Sequence, residues 1–411
     1  MDATQSFPKH ALPTLGAITP WVGQTSNVWM YRQFEQLSDQ LSTIVTWEYH
    51  NRDQFPIDPT KIQFVPEPFA EPLHGFPRTV DTFLGAKTGG ERYGSKFEQW
   101  LANHFVAAGV EGVLAQFGQY AMVAEVACRR VGIPVFAHFH GHDMSARLRK
   151  KRYRQAFASR WHDFAGMIVV ASYQRDFLLS QGFDPSSIAL IPCGAPTQHI
   201  ARVADEIRKH SNRDDSIVRY LFVGRFVEKK DPIAVLQAFR ICHGSHPNAR
   251  LRLVGMGPLE EKLHHWASIQ NPELRDAIEF LGPLSPQGVI EEMASADVFV
   301  QHSRVAPDGD MEGWPVSIAE AMAAGLPIVA TRHAGIVDQV IEGENGWLCD
   351  EGDWQQMSDD MARLAADANM RTTMGTRSRA RAVAFDSDHQ VLQLREFIND
   401  KLMSRSHRAA A

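Results

Sequence analysis

Seven residues separate Glu312 from Glu320 in the stretch E-G-W-P-V-S-I-A-E-A-M-A-A-G-L-P-I-V-A-T. Glu312 sits in a Gly/Pro loop. Val316–Ala324 is rich in helix formers, Gly325 and Pro327 stop it, and I-V-A-T reads as a buried strand. Two carboxylates therefore flank a helix N-terminus with free backbone N–H groups. Such amides can hold a phosphate, while the carboxylates hold sugar hydroxyls. A lone glutamate at position 320 would be an ordinary solvated side chain, so the surrounding motifs decide its meaning.

Five further stretches carry candidate chemistry. V-G-R-F-V-E-K-K-D-P follows a strand at Tyr220–Val223, with Gly224 allowing close approach and Arg225 and Lys230 able to converge on a diphosphate. L-V-G-M-G-P-L supplies Gly255 and Gly257, a G-x-G turn without the third glycine of a dinucleotide fingerprint. In F-L-G-P-L-S-P, Gly282 and Leu284 could meet a base through main-chain groups. A-H-F-H-G-H-D brings His138, His140, His142 and Asp143 together, a spacing close to that of zinc hydrolases. No second His/Asp cluster completes that set, and a strand-end histidine also suits a sugar or phosphate. Asp308 and Asp310 in P-D-G-D-M-E match a D-x-D metal pattern, but turn chemistry accounts for them. No bound metal or cofactor is expected.

Arg147, Arg149, Lys150, Lys151, Arg152 and Arg154 place six bases in eight residues. They form either a solvated face or a docking site for anionic lipid, at about 1 kcal/mol per base near a charged membrane. The whole chain of 411 residues carries a net charge of −6, which gives no case for nucleic-acid binding. Its 44% hydrophobic and 22% charged content is that of soluble globular proteins. Four dispersed cysteines argue against a zinc ribbon or a disulfide framework. The first ten residues lack the apolar core of a secretion signal, and no apolar run approaches a membrane span. The expected location is the cytoplasm, with peripheral docking on the inner face of the plasma membrane as the basic run's alternative.

These loops must be positioned by alternating strands and helices. L-S-T-I-V-T-W, G-V-L-A-Q-F, I-P-V-F-A-H-F and M-I-V-V-A-S read as strands in the first half, with helices such as Val28–Leu41 and Met122–Val131 between them. V-R-Y-L-F-V-G, R-L-R-L-V-G, I-E-F-L-G, V-F-V-Q and P-I-V-A-T read as strands in the second half. This α/β alternation occurs twice, predicting two doubly wound Rossmann-like domains that face each other across a cleft. The expected division is 1–205, 206–385 and a C-terminal helix over 386–411 that packs back toward the first domain. The polar segment Ala201–Ser216 reads as the linker.

In order, F-H-G-H-D, V-G-R-F-V-E-K-K-D, L-V-G-M-G-P-L, F-L-G-P-L and D-G-D-M-E-G-W-P-V-S-I-A-E-A-M resemble the retaining glycosyltransferases of family 4, of GT-B fold. The resemblance covers nearly all of Ala115–Asp350 and is nearest the branch that builds colanic acid and other exopolysaccharides. T-S-N at Thr25, Ser26 and Asn27 stands where many members have a glycine-rich loop, Trp314 replaces Phe or Ile, and Cys193-Gly194-Ala195 replaces N-G-hydrophobic.

The resemblance implies a UDP- or GDP-sugar donor, no cofactor, and a saccharide acceptor that can be lipid-linked. Arg225 and Lys230 would bind the diphosphate. Glu320 would hold the ribose, and Glu312 the donor sugar, beside the N–H groups of Gly313, Trp314 and Val316 and the main chain of Pro315, which has no N–H. Gly224, Gly255, Gly257 and Leu284 would line the donor. His140 would lie near the reacting sugar, with Thr25, Ser26, Asn27 and Asp143 on the acceptor side. The competing readings are a nucleotide-sugar epimerase of the same fold, a zinc-dependent hydrolase using His138, His140 and His142, and a non-catalytic sugar-binding module.

Overall fold

The computed structural model describes residues 12–70 and 94–410, so the first ten residues, read above for a secretion signal, lie outside it. Two parallel sheets organise the chain. The first contains β1 (Leu15–Val22), β2 (Leu41–Tyr49), β3 (Ile62–Phe64), β4 (Gly112–Gln116), β5 (Val135–His138), β6 (Gly166–Val169) and β7 (Ile188–Leu190), ordered β3-β2-β1-β4-β5-β6-β7. The second contains β8 (Val218–Val223), β9 (Ala249–Val254), β10 (Ile278–Gly282), β11 (Val298–Gln301), β12 (Ile328–Thr331) and β13 (Gly346–Cys349), ordered β10-β9-β8-β11-β12-β13. Strand order reverses between β1 and β4 and again between β8 and β11. Crevices open at the carboxyl ends of those strands.

The central strands are apolar almost throughout because helices cover both faces of each sheet. Every residue of β4, β11 and β12 is buried. Five helices matter for the site: α1 (Val28–Gln36), α2 (Gly118–Arg129), α3 (Thr197–His210), α4 (Val316–Ala323) and α5 (Ser387–Ala410). Helix α5 returns to the first sheet, where Val391, Leu394 and Ile398 join Leu15, Ile44, Phe136 and Ile168 in one buried cluster. Arg395 pairs with Asp39 there at 2.7 Å.

Two expectations need correction. The segment read as a linker is mostly α3, which extends to His210. Ile200 and Ala204 bury its apolar stripe against Ile290, Met293, Ile318 and Met322 of the second half. The other is β1, the strand at the centre of the first sheet, whose sequence signal Pro20 interrupts. Proline is tolerated because β4 pairs only with Leu15–Ile18, so Pro20 lies past that partner, and the register with β2 skips it.

Leu394 and Ile398 are fully buried under the first sheet. Leu394→Ala should therefore cost about 2–5 kcal/mol, as a cavity in a packed core does. Calorimetry should show a lower melting temperature. An unchanged transition would place α5 off the sheet.

Candidate active site

The second half brings its loops together by backbone contact. A Cβ on Gly255 would lie 2.0 Å from the Gly224 carbonyl oxygen, so the turns after β8 and β9 touch only because position 255 is glycine. Gly257 likewise abuts the Phe226 main chain. Arg225 projects into solvent from this loop. The Lys230 side chain folds back across Gly224 and reaches Glu312 Oε1 at 3.1 Å.

Both members of that pair are nearly buried. Burial lowers the Lys230 ammonium, and Glu312 opposes the shift. Burial also works against charge on Glu312, but Lys230 and Lys229 outweigh it and hold its carboxyl below the usual range. The structure thus keeps a cation and an anion side by side at the cleft. Lys229 was not expected in this role. Its ammonium meets Asp310 at 3.1 Å and donates to the Met311 carbonyl at 3.2 Å.

The D-G-D turn serves itself. Asp308 accepts the Asp310 N–H at 2.9 Å, while Asp310 faces Lys229 and, across the cleft, His142 at 3.4 Å. Burial opposes its charge, yet His142 and Lys229 hold the Asp310 carboxyl down at about 2. Among the described residues no three His, Cys, Asp or Glu side chains converge as metal ligands. The zinc reading fails on this geometry, since His142 turns away to Asp310.

Helix α4 begins after Pro315 without a side-chain cap. Its first amides therefore lack the usual partner. Trp314 is not a donor contact through its ring: the indole packs on Phe385 at 5.0 Å, inside the core. Only its main chain is left for a ligand. Gly313 lies against Gly141 of the first half, where a Cβ on Gly141 would come within 2.5 Å of the Gly313 nitrogen. Glu320, one turn into α4, faces Arg32 of α1 at 3.6 Å. Burial raises the Glu320 carboxyl, and Arg32 counters it. Val316 and Leu284 are both half-buried and pack against the same core.

Opposite these groups stands the end of β5. His140 is 8% exposed and lies between Trp29 at 4.4 Å, Phe117 at 4.7 Å and His138 at 4.5 Å. Its Nε2 meets Gln116 Oε1 at 3.0 Å. Burial, then His138, pushes the ring's pKa well below the ordinary histidine value. Thr25, Ser26 and Asn27 form a short turn before α1, the first two exposed and Asn27 half-buried. Asp143, expected on the acceptor side, is buried and turned to the main chain. It accepts the N–H of His140 and of Gly118, each at 2.8 Å, and so ties the β5 loop to the start of α2. Burial pushes its carboxyl up to about 6 against those two amides.

The basic run divides. Arg147 is 3% exposed and belongs to the interior, so it leaves the expected docking cluster. Arg149, Lys150, Lys151, Arg152 and Arg154 remain exposed. Arg149 crosses over Gly309 of the second half, which sets the cluster at the cleft's rim. Other groups that span the cleft had no sequence signal: Tyr173 donates its hydroxyl to the Glu312 carbonyl at 3.0 Å, and Ser145 Oγ accepts the Met311 N–H at 3.1 Å.

Known proteins resemble this chain in sequence and in fold. A family model described as Glycosyltransferase Family 4 matches residues 63–199, and one described as Glycosyl transferases group 1 matches residues 203–381. The chain is 30% identical over 287 residues to a colanic acid biosynthesis glycosyltransferase of Salmonella typhimurium, spanning 68% of this chain and 67% of that one. It is 28% identical over 228 residues to the amylovoran biosynthesis glycosyltransferase of Erwinia amylovora, spanning 55% of this chain and 54% of that one. Among solved structures, Anabaena HepE in complex with UDP and glucose superposes with a TM-score of 0.72 at 16% identity, covering 94% of this chain and 100% of that one. Sucrose-phosphate synthase from Thermosynechococcus elongatus gives 0.70 at 18% identity, covering 97% and 100%. The solved structures establish the GT-B fold, and the sequence matches establish kinship: the chain belongs to the family 4 glycosyltransferases.

Proposed function

We propose that this chain moves a sugar from a nucleoside diphosphate sugar to a saccharide acceptor during synthesis of an exopolysaccharide or other cell-surface polysaccharide. The observation that carries the reading is the Lys230–Glu312 pair at 3.1 Å, placed beside the uncapped start of α4. Breaking a sugar–phosphate bond builds positive charge at the anomeric carbon and negative charge on the departing diphosphate. Lys230, Arg225 and the α4 amides answer the negative charge without a divalent ion. Glu312 binds hydroxyls of the donor sugar, and Glu320 binds the ribose. The configuration is retained, the departing phosphate taking the acceptor's proton.

UDP is the favoured base carrier, since HepE was crystallised with UDP and glucose. The colanic acid and amylovoran relatives favour a growing polysaccharide, lipid-linked, as acceptor. Among the described residues no helix is long and apolar enough to cross a membrane. The five exposed bases at the cleft rim would instead hold the enzyme on an anionic surface at the cytoplasmic face of the plasma membrane. Neither the epimerase nor the hydrolase has an observation in its favour.

Arg225 is exposed, so Arg225→Ala should leave the fold intact while weakening UDP by about 1.5–3 kcal/mol, the worth of a charge-assisted hydrogen bond. Lys230→Ala should do the same and also lower thermal stability, because it strands Glu312 in the cleft. Adding Glu312→Gln should restore the stability but not the affinity. Calorimetric titration with UDP that shows wild-type affinity in both single variants removes these residues from the diphosphate site.

The two glutamates should separate by readout. Glu320→Gln should weaken free UDP through the ribose. Glu312→Gln should bind free UDP normally and turn over slowly. Equal loss of free-nucleotide affinity in both would sink this division.

Neutralising Arg149, Lys150, Lys151 and Arg152 should abolish co-sedimentation with phosphatidylglycerol vesicles. Rising salt should do so too, because such attraction is screened beyond about 8–10 Å at physiological strength. A wild-type protein that ignores these vesicles at low salt makes the cluster a solvated rim.

A further inference from the structure

We propose that Glu351 and His333 form a positioning pair that fixes the main chain of Glu312 and so aims its carboxylate within the cleft. The inference rests on the proposed contact between Glu312 and the donor sugar. His333 follows β12 and has no exposed surface in its side chain. Its Nε2 accepts the Glu312 N–H at 3.2 Å, and its Nδ1 meets Glu351 Oε1 at 2.6 Å. Glu351 Oε2 accepts the Val305 N–H at 2.9 Å.

The chemistry of the ring dictates the order. A backbone amide can only donate, so Nε2 must present its lone pair to Glu312. Nδ1 then carries the hydrogen. A carboxylate can only accept, so Glu351 selects that tautomer. With the other tautomer, two N–H groups would meet head to head at Glu312.

One carboxylate thereby joins three loops. Glu351 follows β13, His333 follows β12, and Val305 follows β11 on the way to the D-G-D-M-E turn. Glu312 has its N–H held by His333 and its carbonyl held by Tyr173 of the first half, with both peptide groups flanking a side chain that meets Lys230. Turning either peptide would carry the carboxylate away from Lys230. The His333 ring has no exposed surface, so its effect passes through Glu312.

The test compares His333→Leu, which removes the acceptor, with His333→Gln, which keeps an oxygen acceptor within reach of the amide. Donor is supplied as UDP-glucose, UDP-galactose, UDP-N-acetylglucosamine and GDP-mannose, and kinetics are read on whichever the wild type turns over fastest. His333→Leu should lose about tenfold or more in kcat, since small misplacements at a reacting centre are costly. Free UDP and GDP should bind as in the wild type. His333→Gln should recover most of the lost turnover. The double variant His333→Leu/Glu351→Leu should be no slower than His333→Leu, because the two act in series. In protein labelled with ¹⁵N-histidine, His333 should carry its hydrogen on Nδ1, and Glu351→Leu should shift it.

Wild-type turnover in His333→Leu, equal losses in the Leu and Gln variants, additive losses in the double variant, or a hydrogen on Nε2 each overturns the proposal. Glu312→Gln separates the two levels. If Glu312→Gln turns over normally, the role given to Glu312 fails and takes this inference with it. If Glu312→Gln is slow while His333→Leu is not, only the positioning pair fails.

Discussion

Lys230 and Glu312 place a buried ammonium and a buried carboxylate 3.1 Å apart between two sheets. Removing two charges from water is costly, and their attraction offsets the cost only while both are present and correctly placed. The rest of the cleft can be read as the support this pair needs. Gly224 lacks a side chain, so the lysine can lie across it. Lys229 draws in Asp310 and the Met311 carbonyl, which fixes the loop just before Glu312. Tyr173 crosses from the first half to the Glu312 carbonyl. A diphosphate entering this cleft would offer Lys230 a stronger anion than Glu312. The carboxylate would then be free to accept hydroxyls from the sugar that arrives on the same donor. A pair already desolvated before substrate arrives needs little reorganisation in the transition state.

At the site the two halves are joined by short-range polar and backbone contacts, alongside an apolar seam in which Val170 and Ala171 join Trp314 and Ile336. Gly141 meets Gly313 backbone to backbone, Ser145 accepts from Met311, and His142 faces Asp310. Arg32 reaches Glu320 at 3.6 Å, longer than a strong hydrogen bond. Polar contacts of this kind exchange readily for contacts to a ligand. The apolar union extends well beyond that seam. Helix α5 belongs to the end of the chain yet sits in the core of the first sheet. Helix α3 leaves the first sheet and buries its stripe in the second half. Two helices therefore tie the halves at their backs, while the cleft side keeps exchangeable polar contacts.

Much of this was legible because local patterns decide local structure. The second-half strands follow continuous apolar runs, and the helix after Glu312 ends at Gly325, whose φ of +80° suits glycine. Failures came where a distant neighbour decides. Pro20 hid β1, and only the register with β4 shows why it is tolerated. The three-residue strands β3 and β7 are too short to carry a period. The polar composition of α3 hid a stripe that makes sense only against the second half. Arg147 was indistinguishable in sequence from its exposed neighbours, and the turn from the β5 loop into the next helix takes it inside. Arg32 with Glu320 and His333 with Glu351 are pairs that no spacing in a single sequence announces. The motif residues were visible, but the groups that orient them were not.

His140 shows how burial and chemistry can agree. Its ring is enclosed by Trp29, Phe117 and His138, and burial holds it unprotonated at neutral pH. A charged imidazolium beside a carbon that is gaining positive charge would oppose the proposed reaction. A neutral ring adds no such repulsion and still offers a dipole. His138 goes further: both its nitrogens are buried without a hydrogen-bond partner, and burial brings it down to about 3. It contributes a neutral wall rather than a charge. Asp143 completes the arrangement by fixing the His140 main chain with one oxygen and the start of α2 with the other. Within the H-G-H-D loop His138, His140 and Asp143 thus serve as wall, dipole and anchor, while His142 reaches across the cleft to Asp310. Lys230 and Arg225, the cations proposed to answer the leaving diphosphate, stand across the cleft in the second half, so the proposed reaction would draw its negative charge toward that side.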